Sequence, residues 1–156
     1  MRIKGKLIGA PKPRPCVIER ENEQFVFTIS AVLDYKEFDE LCPTPKPPKA
    51  LKPGGKVTVN TDSPRYLEAL TKYSEKKTSW LLIQAISDTD GLEWERVDLQ
   101  DPETWSLYME ELKGSGLTEG EIAYLINQVY EVNSLDESKM TEARERFISS
   151  QEAGDK

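Results

Sequence analysis

A chain of 156 residues, 37% apolar and 31% charged, is long enough for one ordinary domain or two small units, each with a modest core and a heavily solvated surface. Its 28 acids against 21 bases give a formal charge of −7, which opposes phosphate backbones unless the bases segregate onto one face. The absence of histidine excludes a Ser-His-Asp triad, a Cys-His pair and an HExxH zinc helix.

Two isolated cysteines, Cys16 and Cys42, form neither a CxxC pair nor a four-ligand metal site. Free structural thiols in a reducing cytoplasm are the expected state, with a disulfide between them the alternative. The single local excess of base is N-terminal: Arg2, Lys4, Lys6, Lys12 and Arg14 precede any acid. Two prolines interrupt it and no aromatic residue interleaves it as a stacking platform, so no nucleic-acid partner is expected. The basic start lacks an apolar core long enough for a signal peptide, and no apolar run approaches the ~20 residues that span a bilayer. The expectation is a soluble protein, without a membrane partner, that remains in the compartment where it is made.

In chain order, IKGKLIG, CVIER and QFVFTISAVL are rich in β-branched and aromatic residues. They predict two or three antiparallel strands with a hairpin turn around Glu21 to Glu23. Phe25, Phe27 and Ile29 fall on one face of the last strand, with Val26 and Thr28 on the other. LDYKEFDELCP then places Tyr35, Phe38 and Leu41 at helical spacing behind Asp34 as N-cap and ends at Pro43, a short helix whose aromatic face is expected to cover the sheet. PTPKPPKALKPGG packs five prolines and two glycines into thirteen residues, the composition of an extended linker. Within it Pro45, Pro47 and Pro48 are candidate partner-binding residues, in the manner of a proline-rich ligand.

After an extended KVTVN, Ser63 as cap and Pro64 at the first position predict a long helix to about Ile86. Tyr66, Leu70, Tyr73 and Trp80 form its stripe, and KYSEKK forms a solvated face. Gly91 closes a turn at DTDG. LEWERVDL alternates Leu92, Trp94 and Arg96 against Glu93, Glu95 and Val97, which predicts an extended segment with Leu92 and Trp94 inward. Asp101 and Pro102 start the next helix, carrying Trp105, Tyr108, Met109 and Leu112 on one stripe and stopping at Gly114 or Gly116. Thr118 and Glu121 form a capping box ahead of Ile122, Leu125, Ile126 and Val129. Ser134 and Glu137 form a second, ahead of a final helix with Met140, Ala143 and Phe147 inward; the tail SSQEAGDK is expected to fray. Trp94 and Trp105 are read as anchors of this half of the chain, and as the other two candidate partner-binding residues should they face outward.

The expected architecture is therefore α+β. Residues 1–42 form a small N-terminal antiparallel β unit with a covering helix, 43–62 a Pro/Gly-rich linker, and 63–150 a mainly α-helical domain of four helices with one short extended segment. Carboxylate pairs among Glu93, Glu95, Asp98 and Asp101 raise the alternative of an Asp/Glu-dependent hydrolase. Strand and cap positions already account for these acids, so no catalytic residue is assigned. SDTDGLEWE fails calcium-loop spacing, and neither GG at 54–55 nor GSG at 114–116 has a phosphate-cradling spacing. No metal or cofactor is expected.

The region from Pro43 to Phe147 resembles small accessory proteins of the tail module of tailed bacteriophages, of the tail-assembly-chaperone type that precedes the tape-measure protein. The matching features are PP…GG (Pro47, Pro48, Gly54, Gly55), LEWE (Leu92 to Glu95), DPxTW (Asp101 to Trp105), EL…GLTExE (Glu111 to Glu121) and NSLDE…AR..F (Asn133 to Phe147). The resemblance implies a non-enzymatic factor in virion assembly that makes reversible contacts with other phage proteins, tail or head components, in the host cytoplasm or on the virion. A structural component of the particle, such as a head-decoration or tail protein, is the alternative it leaves open. It carries over no catalytic residue and leaves the oligomeric state open.

Overall fold

The computed structural model describes residues 1–135 and 137–154 and has an α+β fold. The chain forms two compact units, one of Met1–Leu33, Ala85–Leu92 and the residues from Gly116 onward, the other of Asp34–Gln84 and Glu93–Ser115.

In the first unit, β1 (Arg14–Arg20) and β2 (Glu23–Ile29) pair antiparallel in a register that sets Cys16 opposite Phe27 and Ile18 opposite Phe25. Residues directly opposite share a face. Cys16, Ile18 and Ile29 on that face are buried, as are Ile122, Leu125, Val129 and Val132 of helix α4 (Glu119–Val132), against which the hairpin packs. The expected face of Phe25, Phe27 and Ile29 is correct, but its cover runs out toward the hairpin tip: Ile29 is buried, Phe27 half-buried and Phe25 exposed. IKGKLIG is not a strand. Lys4 and Gly5 both adopt positive φ and close a tight turn bridged by Ile3 and Lys6.

Helix α4 begins with the expected capping box, Thr118 Oγ1 accepting from the Glu121 N–H while the Glu121 carboxylate accepts from the Thr118 N–H. The second box does not form. Ser134 has φ 57°, its N–H bonds to Glu131 O, and the Leu135 N–H reaches back to Tyr130 O. That pair of bonds is the Schellman ending of α4, with Ser134 at the left-handed position after the cap. The last helix, α5 (Glu137–Gly154), thus has Glu137 as its first residue; Asp136 lies outside the described residues. α5 buries no side chain: Met140, Ala143 and Phe147, expected inward, are all exposed. Of the tail expected to fray, the residues up to Gly154 are helical, and Asp155 and Lys156 lie outside the described residues.

The second unit centres on aromatic residues. Helix α1 (Lys36–Leu41) presents Phe38, whose ring lies 5.4 Å from Tyr73, 5.6 Å from Trp80 and 5.8 Å from Trp105 between centroids. Its aromatic ring therefore packs against helix α2 (Pro64–Ala85). Asp34 Oδ1 accepts from the Lys36 N–H just before α1, although Tyr35 holds the cap position. α2 starts at Pro64 as expected. The region read as a linker contains a second hairpin, β3 (Lys49–Lys52) with β4 (Lys56–Val59), closed through Gly54 and Gly55 at positive φ. Asp101 caps a 3₁₀ turn, Pro102–Leu107, through the Glu103 N–H, and α3 (Tyr108–Gly114) continues from it. Among the described residues no helix is long and apolar enough to cross a membrane.

Candidate protein-binding surface

The five candidate residues fall into three environments. Trp105 is 0% exposed, with its indole Nε1–H donated to Asp98 O at 3.1 Å, and so offers nothing to a partner. Trp94 is half-buried. Pro45 and Pro47 are half-buried while Pro48 is exposed, and the Pro48 carbonyl accepts from the Asn60 N–H at 2.9 Å. With Thr44 and Tyr73 hydroxyls 3.3 Å apart, the proline segment is tied down at both ends. A proline-rich ligand has an exposed left-handed helix with its carbonyls free; this segment instead leads into β3.

LEWERVDL is not a strand. The backbone N–H groups of Glu95, Arg96 and Val97 all point at one carboxylate, Glu111, at 2.6, 3.3 and 3.0 Å. Successive N–H groups of a strand alternate sides, so three in a row on one acceptor require a curled backbone, an anion nest. The curl turns Val97 inward instead of Trp94, and Val97 is the buried residue of the run. Reading by period 2 could not find this, because Glu111 lies on another element and nothing local marks it. Glu110 from the same turn pairs with Arg96 at 2.9 Å.

The four acids of the hydrolase alternative are all exposed. Asp98 Oδ1 accepts from the Gln100 N–H and Asp101 Oδ1 from the Glu103 N–H, which are turn and cap bonds. In the SDTDG turn, Asp88 accepts from the Ser30 hydroxyl and Gly91 has φ 72°.

Of the basic residues, Arg14 belongs to the fold, since its Nη1 donates to Glu131 at 2.7 Å and Gln128 at 2.8 Å. Lys77, expected on a solvated face, sits 4.8 Å from the Tyr35 ring centroid and 5.9 Å from those of Phe38 and Tyr73, a cation over aromatic faces. Lys76 beside it pairs with Glu103 at 3.0 Å. Both cysteines are free. Burial pushes each thiol above its ordinary range, with Glu121 adding to the effect at Cys16; at Cys42, Lys76 opposes it and Glu103 adds to it.

Arg20 grips Glu121 through two bonds of 2.9 and 2.7 Å. That guanidinium, and then the Thr118 N–H, hold the Glu121 carboxyl down at about 2, against an ordinary 4.5. A depressed carboxyl stabilises the fold fully above its unfolded value, and the contribution is lost as pH falls toward the folded one. Acid unfolding followed by circular dichroism should therefore steepen between 4.5 and about 2, and Glu121→Gln should flatten that part of the curve.

Several large apolar side chains among the described residues are exposed. Leu51, Val57 and Val59 on the β3–β4 hairpin are exposed, Leu51 at 81%, and so are Met140, Phe147 and Ile148 on α5, Phe147 at 63%. Sequence periodicity identifies such a face without saying whether anything covers it. No protein-family model matches the chain, and no curated protein or solved structure matches it.

Proposed function

We propose that this chain is a non-enzymatic protein-binding factor in the assembly of tailed-phage virions, a tail assembly chaperone that acts in the host cytoplasm by reversible contact with other phage proteins. The observation that carries the reading is α5, a helix from Glu137 to Gly154 that buries none of its side chains while exposing Met140 and Phe147. A helix that leaves its few large apolar side chains in solvent has them free for another protein. The phage context comes from the resemblance over residues 43–147.

Pull-down from infected cells tests it. Wild-type chain should capture phage tail or head proteins and be missing from mature particles. Met140→Glu with Phe147→Glu should abolish capture yet shift unfolding free energy by no more than about 0.5 kcal/mol, as substitutions at exposed sites do. Capture of no phage protein overturns the reading, and fixed-copy presence in purified particles would make the chain a structural component.

A further inference from the structure

We infer that the β3–β4 hairpin is a docking edge for an extended protein segment that alternates acidic and apolar side chains, which adds to β4 as a third strand. The inference rests on the protein-binding reading above and supplies the chemistry of a partner.

Three properties of the hairpin point there. An isolated two-stranded hairpin is marginal in water, and this one exposes its apolar face: Leu51 lies opposite Val57, Val59 follows on the same side, and all three are open to solvent. On the other face Lys52 stands directly opposite Lys56, a like-charge pair that weakens the hairpin. Across residues 43–61 there are four lysines, Lys46, Lys49, Lys52 and Lys56, and no acid, in a chain whose net charge is −7. Among the described residues none of the four holds an ion pair. A third strand on β4 would set a carboxylate beside Lys56, one further strand spacing from Lys52 and within reach of its long side chain, while apolar residues one position away would lie beside Val57 and Val59. That is the period-2 alternation of a single strand.

The backbone selects the edge. The Asn60 N–H donates to Pro48 O, so the alternation of an antiparallel ladder makes 50:58 and 52:56 the bonded pairs and turns the N–H and C=O groups of Val57 and Val59 outward. On β3 the same outward row runs back to Pro47, which has no N–H. β4 is therefore the edge able to accept a strand. A row of unpaired amides calls for backbone partners in register, which neither a phosphate chain nor a lipid surface supplies, and the hairpin has no aromatic ring to stack a base.

The test is an amide-resolved NMR titration of the full chain with a synthetic peptide of about eight residues alternating valine and glutamate. Its glutamine counterpart, a DNA duplex and phosphatidylserine vesicles serve as rival probes. The expected result is binding of the glutamate peptide, with shifts and exchange protection centred on Val57 and Val59. Affinity should be weaker by about tenfold for the glutamine peptide and for Lys52→Glu with Lys56→Glu. Val57→Pro, which removes an outward N–H while sparing the bonded pairs, should abolish binding with the dichroism spectrum unchanged. Equal binding of the two peptides, no response at Val57 and Val59, or preference for DNA or vesicles overturns the proposal. If the peptide fails while phage proteins are still captured, only this proposal falls; if it binds at Val57 and Val59 while no phage protein is captured, only the assembly role falls.

Discussion

Trp105→Ala should lower the unfolding free energy by about 3 to 5 kcal/mol, the usual cost of emptying an aromatic site in a packed core. The ring is 0% exposed and meets Phe38, itself 0% exposed, at 5.8 Å between centroids. Phe38 also touches Tyr73 and Trp80, and Trp80 touches Tyr35, so the loss reaches a five-ring cluster and not one contact. Trp105→Phe separates packing from hydrogen bonding. It keeps an aromatic ring near Phe38 but removes the indole donor to Asp98 O, a carbonyl of an exposed residue that water can reach and that shares the Thr104 hydroxyl, at 3.0 Å, with Asp101 O at 2.8 Å. With that carbonyl satisfied, the cost should be only about 1 to 2 kcal/mol. Urea unfolding followed by far-ultraviolet dichroism measures both variants, and a Trp105→Ala cost below about 1 kcal/mol would remove the ring from the core.

What the residues disclosed follows the range of the forces involved. Helix starts depend on residues within one turn, so Pro64 at a first position, Asp101 with Pro102, and Thr118 with Glu121 were legible in the sequence. Ser134 misled because a residue between two helices can end one or begin the other. The Schellman bonds from Ser134 to Glu131 O and from Leu135 to Tyr130 O, with Ser134 at φ 57°, make it the end of α4. The apolar faces of β2 and α5 were also legible as faces, yet Phe25 and Phe147 lie exposed; periodicity records which residues share a side, and packing decides which side is covered. The proline run concealed a hairpin because four of its five prolines lie ahead of β3 while Pro53, Gly54 and Gly55 supply the turn. Of the candidate contacts, Trp105 went inward because its helix start belongs to the aromatic cluster. The exposed hydrophobic residues of β3, β4 and α5, which carry the binding proposals, have the same residue types as core positions, and only packing distinguishes them.

The second large effect belongs to Glu111. Glu111→Ala leaves the N–H groups of Glu95, Arg96 and Val97 without the carboxylate that gathers them. Hydrogen bonds to a charged acceptor are worth about 1.5 to 3 kcal/mol each when buried. Here Glu95 and Arg96 are exposed and water can replace the lost acceptor for them, whereas Val97 is buried. The expected cost is therefore about 2 to 3 kcal/mol in total, closer to one strong bond than to three. Glu111→Gln keeps one carbonyl oxygen but brings an amide group against the same row of donors, so it should recover less than half of the loss. Hydrogen exchange supplies the local readout: in Glu111→Ala the amides of residues 95–97 should lose protection together while those of α4 keep theirs. If the alanine variant leaves exchange at 95–97 unchanged, the curled backbone is held by Val97 burial and the Asp98–Thr104 bonds, and the carboxylate is incidental to it.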